Sequence, residues 1–156
     1  MKYPFVRQYD AMDCGPSCLC MISRWYGRHF SLETIRKKSF ITREGVSFLG
    51  LKSAAESLGF KAMGAKIPFS KLPDKTPLPC IAHWQQNHFI VINKADNDHV
   101  WVSDPAIGRL RMTSDEFLKG WAQNDISDTA SGMVLLLEPE PKFYEQPDDP
   151  KPEHRF

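Results

Sequence analysis

No run of apolar residues in this 156-residue chain approaches the length of a bilayer span; the longest candidate, residues 133–137, is strand-sized. The start, Met1-Lys2-Tyr3-Pro4, carries a lysine but no apolar h-region, so no signal peptide is expected. A surplus of either charge is also missing. The net charge is +1, which gives no reason to expect nucleic acid or an anionic membrane as partner. The chain contains no Gly-x-x-x-x-Gly-Lys-Ser/Thr loop for a nucleotide phosphate and no internal repeat. Cysteine is sparse: Cys14, Cys18, Cys20 and Cys80 do not space out as a secreted disulfide framework. A cytoplasmic chain with free thiols is therefore expected, and the question becomes which thiol reacts.

What is present suits one domain. Apolar residues make up 42% and charged residues 25%, and the length suffices to bury one core without metals or disulfides. After an irregular start containing Pro4, Asp10 and Asp13, the residues Cys14, Cys18, Met21, Ile22 and Trp25 recur at helical spacing and form one apolar face. Asp13 is the expected N-cap and Gly27 the stop. Further helices are predicted from Ser31, over 47–58 with Gly59 as terminator, and over 114–121. The second half reads as short strands over 61–67, 78–83, 88–94, 100–103, 109–112 and 133–138, with turns at Asp96-Asn97-Asp98 and from Asp104-Pro105 to Gly108. Helices first and an antiparallel sheet afterwards give the class α+β. The Pro-rich stretch from 139 to 156 has little to pack with, so a domain over 1–138 followed by a dispensable linker or tail is expected.

Cys14 opens the first helix, where the helix dipole and free N–H groups stabilise a thiolate. Its bland alternative is a small core residue, a description that suits Cys18 and Cys20 better because they lie within the helix. A thiolate needs a base, and the positions of the histidines leave His83 and His88, on either side of Trp84-Gln85-Gln86-Asn87; His88 opens a strand and would be rigidly held. Asp104 ends the next strand and could orient an imidazole from there, although Asp before proline is also an ordinary turn residue. A zinc site is the rival use of Cys and His, but Cys14 with Cys18 and His83 with His88 fit the usual ligand spacings only loosely.

The segment Gln8-Tyr9-Asp10-Ala11-Met12-Asp13-Cys14-Gly15-Pro16-Ser17-Cys18-Leu19 closely resembles the Gln-x-Asp-x-x-Asp-Cys-Gly-x-x-Cys-Leu signature of bacteriocin-processing cysteine peptidases, the papain-like N-terminal domains of peptidase-containing ABC exporters. The resemblance continues through Trp25-Tyr26-Gly27, Gly45-Val46-Ser47, Pro79-Cys80-Ile81-Ala82-His83-Trp84, His88-Phe89-Ile90-Val91-Ile92 and Asp104-Pro105-Ala106-Ile107-Gly108, and covers about residues 5–138. Gly15-Pro16-Ser17 departs slightly from the commoner small residues after the cysteine.

This resemblance implies a papain-like fold and four roles: Cys14 as nucleophile, His88 as base and later acid, Asp104 as the group orienting His88, and Gln8 as oxyanion donor. It implies a precursor peptide cut after a double-glycine motif, with the leader docking as an amphipathic helix, and no cofactor or metal. The transmembrane and ATPase domains of an ABC exporter are implied beyond this chain, tethering it to the cytoplasmic face of the inner membrane, and an excised domain is favoured over a free-standing peptidase. The alternative is a catalytically silent leader-binding module; relatives of that kind lack the cysteine, which is present here.

Overall fold

The computed structural model describes residues 2–39, 45–85, 87–147 and 149. Its centre is a six-stranded, wholly antiparallel sheet in the order β1-β6-β2-β3-β4-β5, formed by β1 (Phe60–Pro68), β2 (Cys80–Trp84), β3 (His88–Ala95), β4 (His99–Asp104), β5 (Gly108–Thr113) and β6 (Ser131–Pro139). The helices α1 (Cys14–Trp25), α2 (Leu32–Lys38) and α3 (Phe48–Leu58) precede it, α4 (Leu72–Lys75) and α5 (Ser114–Trp121) interrupt it, and α6 (Pro141–Glu145) follows. This is the expected α+β arrangement.

Each face of the sheet has its own core. On one side Ile81, Phe89, Val91, Leu135 and Leu137 pack against Leu19, Ile22, Ile35, Leu51 and Leu58 of the N-terminal helices. On the other, Trp84, Ile90, Ile92, Val102 and Val134 pack against Leu72, Phe117 and Trp121. Strand alternation makes this possible, since successive side chains point to opposite faces. α1 departs from the one-faced helix expected of it: every residue from Cys14 to Ser23 is buried, because sheet, α2 and α3 surround it.

Local signals set the helix starts. Ser31 caps α2 through Thr34 N–H at 3.1 Å, and Ser47 caps α3 through Gly50 N–H at 3.0 Å. α5 starts at Ser114 as expected, and its cap is Thr113: it accepts from Glu116 N–H at 3.2 Å, and the Glu116 carboxylate accepts from Thr113 N–H at 2.9 Å, a reciprocal capping box. Asp13 stands at the N-cap position of α1, but its side chain makes no cap bond and turns instead to Arg36. The Asp96 carboxylate closes the β3–β4 turn by accepting from Asp98 and His99 N–H at 2.8 and 2.7 Å.

The expected boundary at 138 falls inside β6, and packing continues beyond it. Phe143 of α6 is fully buried against Phe60 and Phe30, with ring centroids 4.5 and 5.9 Å away. Gly59 ends α3 with φ +106°, and a Cβ there would overlap the Phe143 backbone, so glycine answers both the left-handed turn and the close approach. Arg28 donates to the carbonyls of Tyr144 and Gln146, and Asp149 accepts from Ser31 N–H at 2.7 Å. Proline content misled here because it outweighed one aromatic side chain that fills a core site. Residues 150–156, the rest of the expected tail and the position of His154, lie outside the described residues. Phe143→Ala should destabilise the protein by about 3–5 kcal/mol, the usual cost of emptying a buried aromatic site. Chemical denaturation would measure this, and a wild-type midpoint would show that α6 is not part of the core.

Candidate active site

Cys14 is the first residue of α1, His88 the first of β3 and Asp104 the last of β4, so three element termini meet at one place. His88 Nε2 lies 2.6 Å from Asp104 Oδ1, and the Cys14 side chain stands close enough to the same imidazole to favour its charged form. Asp104 Oδ1 also accepts from Ala106 N–H at 2.9 Å, which fixes the carboxylate in the β4–β5 turn. Cys14 is 5% exposed and Asp104 3%, so these contacts form largely out of water.

A β-bulge brings Asp104 to the histidine. Ala95 pairs with Val100 and Lys94 with Trp101, but beyond the bulge Ile92 pairs with Val102 and Val91 with Ser103. Continuing that register sets Asp104 opposite Ile90, on the same face as His88. Without the one-residue slip Asp104 would face the other side. Asn93, in the bulge, donates to Ser103 Oγ at 2.9 Å.

Electrostatics follow the geometry. Burial works against a charged His88, but the hydrogen bonds and negative fields of Asp104 and Cys14 outweigh it and push the imidazole up to about 9. Burial likewise opposes charge on Asp104, yet its bonds to His88 and to Ala106 N–H hold the carboxyl below its usual value. The other thiols are pushed the opposite way. Burial, with the nearby Cys14 and Asp104, raises Cys18 well above an ordinary thiol, while burial raises Cys20 and Cys80 to about 12. Those three are protonated core residues.

His83 is not in this cluster. It pairs with Phe89 across the hairpin, with ring centroids 5.3 Å apart, while His88 pairs with Trp84. The two histidines therefore leave opposite faces of the hairpin, a geometry that separates the pair a zinc site would need. Among the described residues no group of three or more His, Cys, Asp or Glu side chains is arranged to hold a metal ion, and no helix is long and apolar enough to cross a membrane.

Gln8 reaches the site through the backbone. Its N–H donates to Pro105 O at 3.0 Å, and the neighbouring Arg7 donates to Ala106 O at 3.1 Å, so the N-terminal segment is fastened to the turn that carries Asp104. The Gln8 side-chain oxygen is shielded from solvent and takes no hydrogen bond among the described residues. Arg7 and Arg36 were not legible as contributors in the sequence, since long-range pairing leaves no local pattern.

The sequence model of the peptidase C39 family matches residues 2–141. The chain belongs to the peptidase C39 family. It is accordingly a cysteine peptidase, with the α+β fold of that family's domains. Over 143 residues it is 34% identical to the Lactococcin-G-processing and transport ATP-binding protein LagD of Lactococcus lactis subsp. lactis, covering 88% of this chain and 19% of that protein. It is 30% identical to the transport/processing ATP-binding protein ComA of Streptococcus pneumoniae (strain ATCC BAA-255 / R6), covering 87% of this chain and 19% of ComA. The chain thus spans about one fifth of the length of the curated relatives it matches. Among solved structures, the peptidase domain of Streptococcus ComA superposes with a TM-score of 0.79 at 26% identity, over 89% of this chain and all of that one. A double glycine motif protease from an AMS/PCAT transporter, solved in complex with its leader peptide, superposes with a TM-score of 0.77 at 29% identity, over 89% of this chain and 93% of that one.

Proposed function

We propose that this C39 peptidase is a cytoplasmic endopeptidase that removes the leader of a precursor peptide after a double-glycine motif, as part of an export system with transmembrane and ATPase parts. The observation that carries the reading is the imidazole of His88 held between the Cys14 thiol and the Asp104 carboxylate. In this reading Cys14 Sγ, as thiolate, attacks the carbonyl carbon of the second glycine. The tetrahedral intermediate collapses, the C–N bond breaks, and the His88 imidazolium gives its proton to the leaving amine. Water, deprotonated by His88, then hydrolyses the thioester and frees the leader. Asp104 holds the imidazole and favours its charged form. Mass spectrometry of the protein incubated with double-glycine precursor peptides tests this reading. A single cut after the second glycine, lost when either glycine becomes leucine, is the expected result. Tight leader binding with no cut would identify a binding module instead.

Gln8 completes the chemistry in this reading. Its uncommitted amide and the Cys14 backbone N–H at the helix start would donate to the oxyanion as charge develops. Gln8→Ala should lower kcat by about a hundred- to a thousand-fold, with little change in KM. Alkylation of Cys14 by iodoacetamide, which builds no oxyanion, should stay near the wild-type rate. Steady-state kinetics run beside the alkylation rate separate an oxyanion donor from a support for the thiolate, since a joint collapse would show the latter.

A further inference from the structure

Asp13 directly precedes Cys14 and is fully buried, yet it does not cap α1. A buried carboxylate beside a cysteine that must ionise opposes that ionisation, because like charges in a dry site repel. The counter-charge comes from α2: Arg36 Nε lies 3.0 Å from Asp13 Oδ1, with the arginine side chain 41% exposed and the aspartate 0%. The contact is a pairing of charges rather than an aligned hydrogen bond, and Asp13 Oδ2 bonds to nothing among the described residues. Among the described residues, the other titratable groups that act on or beside Cys14 are His88 from β3, Asp104 from β4 and Cys18 one turn along α1. Asp10, in the preceding turn, is exposed and engaged with Met12 N–H at 2.9 Å.

Resting on the assignment of Cys14 as nucleophile, we propose that Arg36 is a positioning residue for catalysis, cancelling the Asp13 charge beside Cys14 while tying α2 to the first turn of α1. The pair then does two things at once. It fixes the entry of the nucleophile helix through a charge contact from the neighbouring helix. It also lets the positive end of the α1 dipole act on the thiolate instead of being spent on Asp13. α2 is thereby coupled to the nucleophile through the Arg36–Asp13 pair.

The test is the pH dependence of Cys14 alkylation by iodoacetamide, followed from about pH 4 to about pH 10, with Cys14→Ala as blank. In Arg36→Met the midpoint of thiolate formation should rise by about one unit. kcat for leader cleavage on the acid side should fall about tenfold, as a one-unit midpoint shift requires, with KM unchanged. Arg36→Lys, which keeps the charge, should retain the wild-type midpoint. Asp13→Asn/Arg36→Met, which leaves no unpaired charge, should return to it. An Arg36→Met protein that loses thermal stability with an unmoved midpoint, or a double variant that stays shifted, overturns the proposal. Should the double variant fail to fold, the contrast between Arg36→Lys and Arg36→Met decides alone. An alkylation signal surviving in Cys14→Ala would overturn the nucleophile assignment instead.

Discussion

Cys14→Ala is expected to lose leader cleavage on the order of 10⁶-fold while binding the leader with unchanged affinity. The size of the loss follows from the proposed covalent route: without sulfur at the start of α1 no thioester could form, and only the residual effects of binding and charge would remain. Binding should persist because alanine is smaller than cysteine and a side chain only 5% exposed offers the leader almost no surface. Cys18→Ala, Cys20→Ala and Cys80→Ala should keep catalysis, since burial keeps those thiols protonated at any pH where the enzyme works. Chromatographic assay of leader release and fluorescence anisotropy with a labelled leader separate the two properties. Cleavage by Cys14→Ala, or its loss in a folded Cys80→Ala, would refute the mechanism.

His88→Ala should be nearly as costly, on the order of 10⁵- to 10⁶-fold, because in the proposed mechanism one imidazole holds the thiolate, protonates the amine and activates the water. Asp104→Asn should cost less, about ten- to a hundred-fold, the worth of one charge-assisted hydrogen bond. Its clearer signature is in the pH profile. With Asp104 in place the imidazolium persists up to about 9, so activity should be held to that point and fall as pH rises past it. Removing the carboxylate charge takes away the main influence raising the imidazole, while burial, which lowers it, remains. The alkaline limb must therefore move to lower pH. A limb that stays near 9 in Asp104→Asn would show that Asp104 does not set the charge on His88. His83→Ala should be mild, and a lethal His83→Ala beside an active His88→Ala would reverse the choice of histidine.

Helix and strand positions were largely legible because their signals are local. Ser31, Ser47 and Gly59 mark helix ends by their own hydrogen bonds and backbone freedom, and the turn at Asp96 is closed by its own side chain. Cys14 could be singled out for the same reason, as the first residue of an apolar helical repeat. The short helices α4 and α6 leave no sequence signal. Each is too brief for periodicity to register, and both hold through one buried side chain, Leu72 or Phe143.

By itself the sequence determined the order of helices and strands, the thiol at a helix start and, through the Gln8–Leu19 signature, the family. The same resemblance implied His88 and Asp104; only the tertiary structure shows how strand pairing brings them together. The resemblance already favoured His88 over His83, and the β2–β3 register sends the two to opposite faces. Asp104 joins His88 only because a bulge in β3 slips the β4 register by one residue. Both outcomes depend on which strand neighbours which and with what offset. Such long-range pairing is selected by the packing of two cores on one sheet, so no local residue pattern reports it.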